Sequence, residues 1–238
     1  MTPSAPDPAL VDKLVLANRI LHHQGIVDSF GHVSVRHDKT AGHFLLARNM
    51  APSLVRRADI VTFDLNGTAV DAAGRRVYLE RFIHAEIYRA RTDVNSVVHS
   101  HSPSVIPFGV TQQSLRPVFH MSGFLGEGSA LFEIRDVAED TDMLISSGPL
   151  GEALAAALGS HSTVLMRGHG STVVGASVEQ AVYRAIYAEV NARLQIQATA
   201  LGEVTFLNAR EAAKAAAVND TQLPRAWEYW QRAVGPIE

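Results

Sequence analysis

The chain has no cysteine, which excludes disulfides and thiolate chemistry. It has no apolar stretch near the roughly 18 residues that a membrane span needs, and no basic-then-apolar leader at Met1. Lysine and arginine form no run longer than pairs such as Arg56-Arg57, and the net charge is −3, so nothing resembles a basic stripe for nucleic acid or an acidic membrane. These absences lead us to expect a cytoplasmic protein with a small soluble substrate, no nucleic-acid partner and no membrane partner. What is present is a 238-residue chain, 47% hydrophobic and 19% charged, enough apolar material for one sizeable core. It also has eleven histidines, whose placement matters more than their number.

We expect residues 1–7, rich in Pro, Ser and Ala, to be a loose tail and residues 8–238 to form a single catalytic domain of the α/β class. Leu10, Leu14, Ala17 and Leu21 fall on one stripe of a helix ending at Gly25. Short strands follow at His32–Arg36, His43–Leu46 and Ile60–Phe63. A helix from about Glu80 to Ala90 breaks at Thr92-Asp93 into a β-branched run, Val94 to His101. Met143-Leu144-Ile145 reads as a strand, Pro149 to Leu158 as a helix, and Ser162–Met166 and Thr172–Val174 as strands flanking Gly168-His169-Gly170. Ser177 with Gln180 is a capping-box signature for a long helix carrying Val182, Ile186, Val190 and Leu194, and the remaining segment is helical to near Trp227 and Trp230.

Residues two apart in a strand point to one face, so the spacing of His99 and His101 fits chelation of a single ion. His169, between two glycines at the end of another apolar strand, could complete an open site of three imidazoles with a vacancy for water or substrate. Such a site suits Lewis-acid chemistry. Taken singly, the pair could be two polar residues at a strand end, His169 a turn residue, and Glu80 a helix-start carboxylate favoured by the helix dipole.

Taken together, Glu80-Arg81-Phe82-Ile83-His84, His99-Ser100-His101-Ser102-Pro103 and Gly168-His169-Gly170 resemble the class II aldolase/adducin family in order and spacing. Gly31-His32-Val33-Ser34 resembles its Gly-Asn-x-Ser loop, and the matching segments spread from about residue 10 to about residue 203. The resemblance implies an α/β/α layered fold around a mainly antiparallel sheet. It implies one divalent metal ion per subunit on His99, His101 and His169, with Glu80 as acid/base or additional ligand. It also implies a homotetramer with active sites at subunit interfaces. Manganese, zinc, iron and cobalt all suit such donors.

Two departures from the sugar-phosphate aldolases bear on substrate. His32 stands at the asparagine position, and Leu46-Ala47-Arg48-Asn49-Met50-Ala51-Pro52 replaces the threonine-glycine phosphate loop. Arg48 suits a carboxylate bidentately, so His32, Ser34 and Arg48 are the substrate-binding candidates for a carboxylated molecule. These segments, with Arg116–Met121, are similar to the family's decarboxylase branch, which acts on hydroxy-substituted aromatic or pyridine carboxylates such as 3-hydroxy-2-methylpyridine-4,5-dicarboxylate and 3,4-dihydroxyphthalate. The expected function is therefore a metal-dependent decarboxylase of aromatic catabolism, with Glu80 or His120 delivering the proton. The alternatives are an aldolase or epimerase acting on a sugar phosphate or hydroxy-carbonyl compound, and a non-catalytic module like the adducin head.

Overall fold

The computed structural model describes residues 3–237. Helix α1, Pro8–His23, starts where the Asp7 side chain accepts from the Ala9 N–H with Pro8 in the first turn, and stops before Gly25, whose φ is +70°. Of the expected loose tail, residues 1 and 2 lie outside the described residues. Ser4 N donates to Thr40 Oγ1, Asp7 N donates to Asp38, and Lys39 Nζ donates to the Ala5 carbonyl, so residues 4–7 are fastened to the turn after the first strand.

The strands are β1 (His32–Arg36), β2 (His43–Ala47), β3 (Ile60–Asp64), β4 (Ser96–Ser100), β5 (Ala130–Phe132), β6 (Thr163–Met166) and β7 (Gly170–Gly175). They form one sheet in the order β3-β2-β1-β4-β7-β6-β5, antiparallel throughout except for the β5–β6 pair. Alternation along each strand divides the core. Phe44, Leu46, Val61, Phe63, Val97 and Val174 pack against α2 (Arg81–Ala90) and α4 (Gly148–Leu158). Val33, Val35, Leu45, Val98 and Val173 point the other way, against α1, α5 (Val178–Leu201) and α7 (Leu223–Val234). The result is the expected α/β/α layering of a mainly antiparallel sheet. A short helix α3 (Ile106–Gly109) and α6 (Ala209–Asp220) complete the chain.

Three local expectations change. Met143–Ile145 is not a strand: Met143 adopts φ +73°, and the Ile145 N–H is used by a side chain instead of a sheet ladder. The β5 strand went unread because it is three residues long and its middle residue, Leu131, is exposed, leaving little pattern. At the start of α5, Ser177 Oγ accepts from Gln180 N as expected, but the Gln180 side chain accepts from Ala176 N, one residue earlier than a capping box requires. Among the described residues, no helix is long and apolar enough to cross a membrane.

Candidate metal centre

The central strand β4 is paired by β1 on one edge and β7 on the other, with His32 opposite His99 and His99 opposite Thr172. His99 therefore sits in the middle of the sheet, and His101 follows just past the strand's end. His169 arrives from the β6–β7 turn. Gly168, at φ +66°, makes that turn in a conformation a side chain would strain. Gly170 makes it close: a Cβ there would lie 2.2 Å from the Ser100 carbonyl oxygen. Arg167 ties the turn to the neighbouring strand through an ion pair with Glu133 at 2.6 Å and an N–H to the Phe132 carbonyl.

Glu80 is the N-cap residue of α2, but its carboxylate does not cap that helix. Oε1 accepts from the Ile145 N–H at 3.0 Å, which turns Oε2 toward His99 Nε2 and His169 Nε2, both 3.6 Å away. His101 Nε2 lies 3.2 Å from His99 Nε2 and 3.0 Å from His169 Nε2. The four donor atoms all lie within 4.8 Å of one another. Donors held about 2.0–2.2 Å from one ion in a tetrahedral set stand about 3.3–3.6 Å apart, so this donor set fits a single divalent cation with little adjustment. Burial is the main cause that holds the His99 and His101 rings below the usual imidazole range, which favours the neutral ring with one nitrogen free to bind a metal. Burial likewise raises the Glu80 carboxyl, opposed by His169 and the Ile145 N–H and reinforced by Asp142. Thr172 Oγ1 stands 3.5 Å from His99 Nδ1, whereas His169 Nδ1 is buried without a partner among the described residues.

The remaining candidates fall at different distances from this centre. His32 is buried beside it: its ring lies 5.0 Å from that of His99 and 4.6 Å from that of Tyr78. Its Nδ1 meets His84 Nε2 at 2.7 Å. Ser34 is fully buried, with its hydroxyl between His84 Nδ1 at 2.6 Å and Tyr88 OH at 2.7 Å. Arg48 donates from Nε to Asp59 Oδ1 at 2.7 Å and is more than a third exposed. His120 does not join the cluster within one chain; it lines a separate cavity of about 660 Å³ with Tyr183, Tyr187, Arg225 and Trp230. Of the four cluster residues, His101 also lines a cavity of about 370 Å³, with Asp28, Phe30 and Pro103.

Sequence reasoning missed Ile145, whose contribution is a backbone N–H and leaves no signature in residue type. It also missed Tyr78, whose ring lies against His32, and Tyr88, whose hydroxyl meets Ser34. His84, one turn after Glu80, had a visible signal, but its ring turns to β1 instead of to Glu80.

Residues 12–196 match the family model of the class II aldolase and adducin N-terminal domain. The chain is 36% identical to the decarboxylase tropJ of Talaromyces stipitatus, across 90% of each chain. It is 31% identical to a 3,4-dihydroxyphthalate decarboxylase of Arthrobacter keyseri, across 80% of this chain and 79% of that one. An aldolase II superfamily protein from Pseudomonas syringae superposes with a TM-score of 0.79 at 25% identity, over 98% of this chain and 94% of the other. An imidazole-carboxylate cluster at the heart of such a sheet, in a chain whose relatives over this length are decarboxylases, defines an enzyme of the carbon–carbon lyase class. The chain belongs to the class II aldolase and adducin family.

Proposed function

We propose that the protein is a metal-dependent decarboxylase of a hydroxy-substituted aromatic or pyridine dicarboxylate, such as 3,4-dihydroxyphthalate or 3-hydroxy-2-methylpyridine-4,5-dicarboxylate, working in aromatic catabolism. The observation that carries this reading is the convergence of Glu80, His99, His101 and His169 on one point beside His32, where sugar-phosphate aldolases place an asparagine. A divalent ion on the three imidazoles, manganese, zinc, iron or cobalt, supplies Lewis-acid stabilisation of the charge that develops at the ring and its hydroxyl as carbon dioxide leaves. The bond that breaks joins ring carbon to carboxyl carbon, and the electron pair left on the ring takes a proton.

Glu80 is our candidate for holding that proton. Burial raises its carboxyl, which favours the protonated form, and the Ile145 N–H fixes Oε1 so that Oε2 is the oxygen facing the site. His120 is the second candidate, acting on a neighbouring subunit's site in a homotetramer. His32 offers a ring nitrogen to the substrate's oxygens, Ser34 acts behind it, and Arg48 meets the second carboxylate from the β2 end. The cavity at Phe30 and His101 gives a planar ring a face to lie against on entry. We place the enzyme in the cytoplasm.

The test is carbon dioxide release and product mass from a panel of ortho-hydroxy aromatic and pyridine dicarboxylates with each of the four metals. Metal-dependent release that disappears in His99→Ala is the expected result. No release across the panel, with cleavage of an unphosphorylated hydroxy acid instead, would transfer the site to aldol chemistry.

A further inference from the structure

Behind the metal centre four side chains form an unbroken polar line through the apolar layer between β1 and α2. Tyr88 OH, Ser34 Oγ, His84 Nδ1, His84 Nε2 and His32 Nδ1 follow one another at 2.7, 2.6 and 2.7 Å. All four residues are nearly or fully buried, and Phe44 flanks both His84 and Tyr88. Buried polar groups of this kind are held in place only if each donor finds an acceptor, so the direction of the line is a matter of accounting.

Two directions are open. In one, His32 donates to His84, His84 to Ser34, and Ser34 to Tyr88; the tyrosine must then spend its own proton on the Asn95 carbonyl at 3.5 Å, a poor O–H···O distance. In the other, Tyr88 donates to Ser34, Ser34 to His84 Nδ1, and His84 Nε2–H to His32 Nδ1, so each of the three contacts pairs one donor with one acceptor within 2.7 Å and the tyrosine needs no acceptor outside the line. The second direction leaves His32 as a neutral imidazole with its proton on Nε2. No group among the described residues engages that nitrogen, and the ring lies against His99 on the metal side.

We propose that Tyr88, Ser34 and His84 are positioning residues that lock His32 in the Nε2–H tautomer, so that His32 presents a fixed hydrogen-bond donor to an oxygen of the substrate carboxylate or of its hydroxyl. This rests on the decarboxylase reading for the identity of the acceptor, but not for the tautomer. Burial also raises the Tyr88 phenol and pushes the His84 ring down to about 3, so the line carries no net charge and sends no proton into the site. Its work is orientation. The replacement of asparagine by histidine then exchanges a flexible amide, whose oxygen and nitrogen can swap, for a donor of one sign, and this selects oxyanions.

The experiment is long-range ¹H–¹⁵N correlation of histidine-labelled protein without substrate, in which the two ring nitrogens of a neutral imidazole separate by tautomer. His32 is expected as pure Nε2–H. Ser34→Ala, which deprives His84 Nδ1 of its donor, is expected to convert the His32 signals to a mixture or to the Nδ1–H form. It should also raise KM for the substrate roughly tenfold to a hundredfold, with a smaller change in kcat, the scale of one lost hydrogen bond to a charged group. If Ser34→Ala does not fold, Tyr88→Phe removes a single hydroxyl and should give the tautomer mixture with a smaller rise in KM. An Nδ1–H His32 in the wild-type protein, or an unchanged tautomer in the variant, overturns the proposal even if decarboxylation is found. A pure Nε2–H signal that responds to Ser34→Ala upholds the tautomer lock even if the substrate panel fails, and in that event only the identity of the acceptor falls.

Discussion

Gly170→Ala tests whether the metal centre is built by the close approach of two strands. The new Cβ would sit 2.2 Å from the Ser100 carbonyl oxygen and 3.1 Å from His101 Cδ2, against an ordinary contact that begins at 3.4 Å. About 1.2 Å must be recovered, and the atom in the way is backbone, so the ends of β4 and β7 have to separate. Those ends carry His99, His101 and His169, whose Nε2 atoms are 3.0–3.2 Å apart along the cluster. Metal–ligand distances tolerate about 0.2 Å, so a separation near 1 Å removes one imidazole from the set. We expect zinc or manganese affinity to fall roughly a hundredfold or more, the upper end of what disturbing a ligand's support costs. The strain itself should cost about 1–3 kcal/mol without metal. Titration against a chromogenic chelator reads the first, and unfolding with and without saturating metal reads both. A hundredfold loss of affinity shrinks the metal-dependent stabilisation by about 2.7 kcal/mol. Gly148→Ala, whose Cβ would meet nothing closer than 3.7 Å, is the control. A Gly170→Ala protein that is less stable yet binds metal as the wild type does would falsify the close-approach argument.

Two further outcomes follow from the same geometry. Glu80→Gln keeps an acceptor for the Ile145 N–H but sets an amide nitrogen where Oε2 faces His99 and His169, so kcat should drop by roughly 10²–10⁴ with the thermal midpoint nearly unchanged; turnover within about threefold of wild type would remove Glu80 from the chemistry. His84, buried and held down to about 3 from 6.5, binds its proton more readily when unfolded, so its contribution to stability is whole above pH 6.5 and is lost as the pH falls toward 3. Between pH 6.5 and 5.5 that loss is about 1 kcal/mol, absent in His84→Gln. Urea unfolding of the two proteins at both pH values should show their stability gap narrowing in acid, and a constant gap rejects the assignment.

Much of this arrangement was legible because it rests on period and chemistry that residues display. The two-residue spacing of His99 and His101 announces a shared face, the glycines about His169 announce a turn, and the β-branched runs of β4, β6 and β7 need no tertiary knowledge. What was hidden depends on partners distant in sequence. Met143–Ile145 has the composition of a strand, yet its N–H is claimed by Glu80 from 65 residues away, and no local signal records that. His84 sits where an i, i+4 contact with Glu80 is as natural as any other, and only the packing of α2 across β1 decides that it turns to Ser34. The guanidinium fork of Arg48 suits a carboxylate, but Asp59 takes its Nε, a competitor that propensity and pattern do not reveal.

The placement of His99 in the sheet has a consequence for how such a chain can change over time. Strands β4 and β7 are side by side, yet the polypeptide between Ser100 and Gly170 leaves the sheet and comes back before the last imidazole is delivered. That excursion can lengthen, shorten or change its surface without altering the register of Val98 on Val173 or His99 on Thr172. The Ile145 N–H is a fixed point within it, because Glu80 leans on that group. The ligands, and His32 beside them on β1, are thereby written into the hydrogen-bond ladder of a rigid sheet, so the connecting segments of the excursion can change while those ligands stay still.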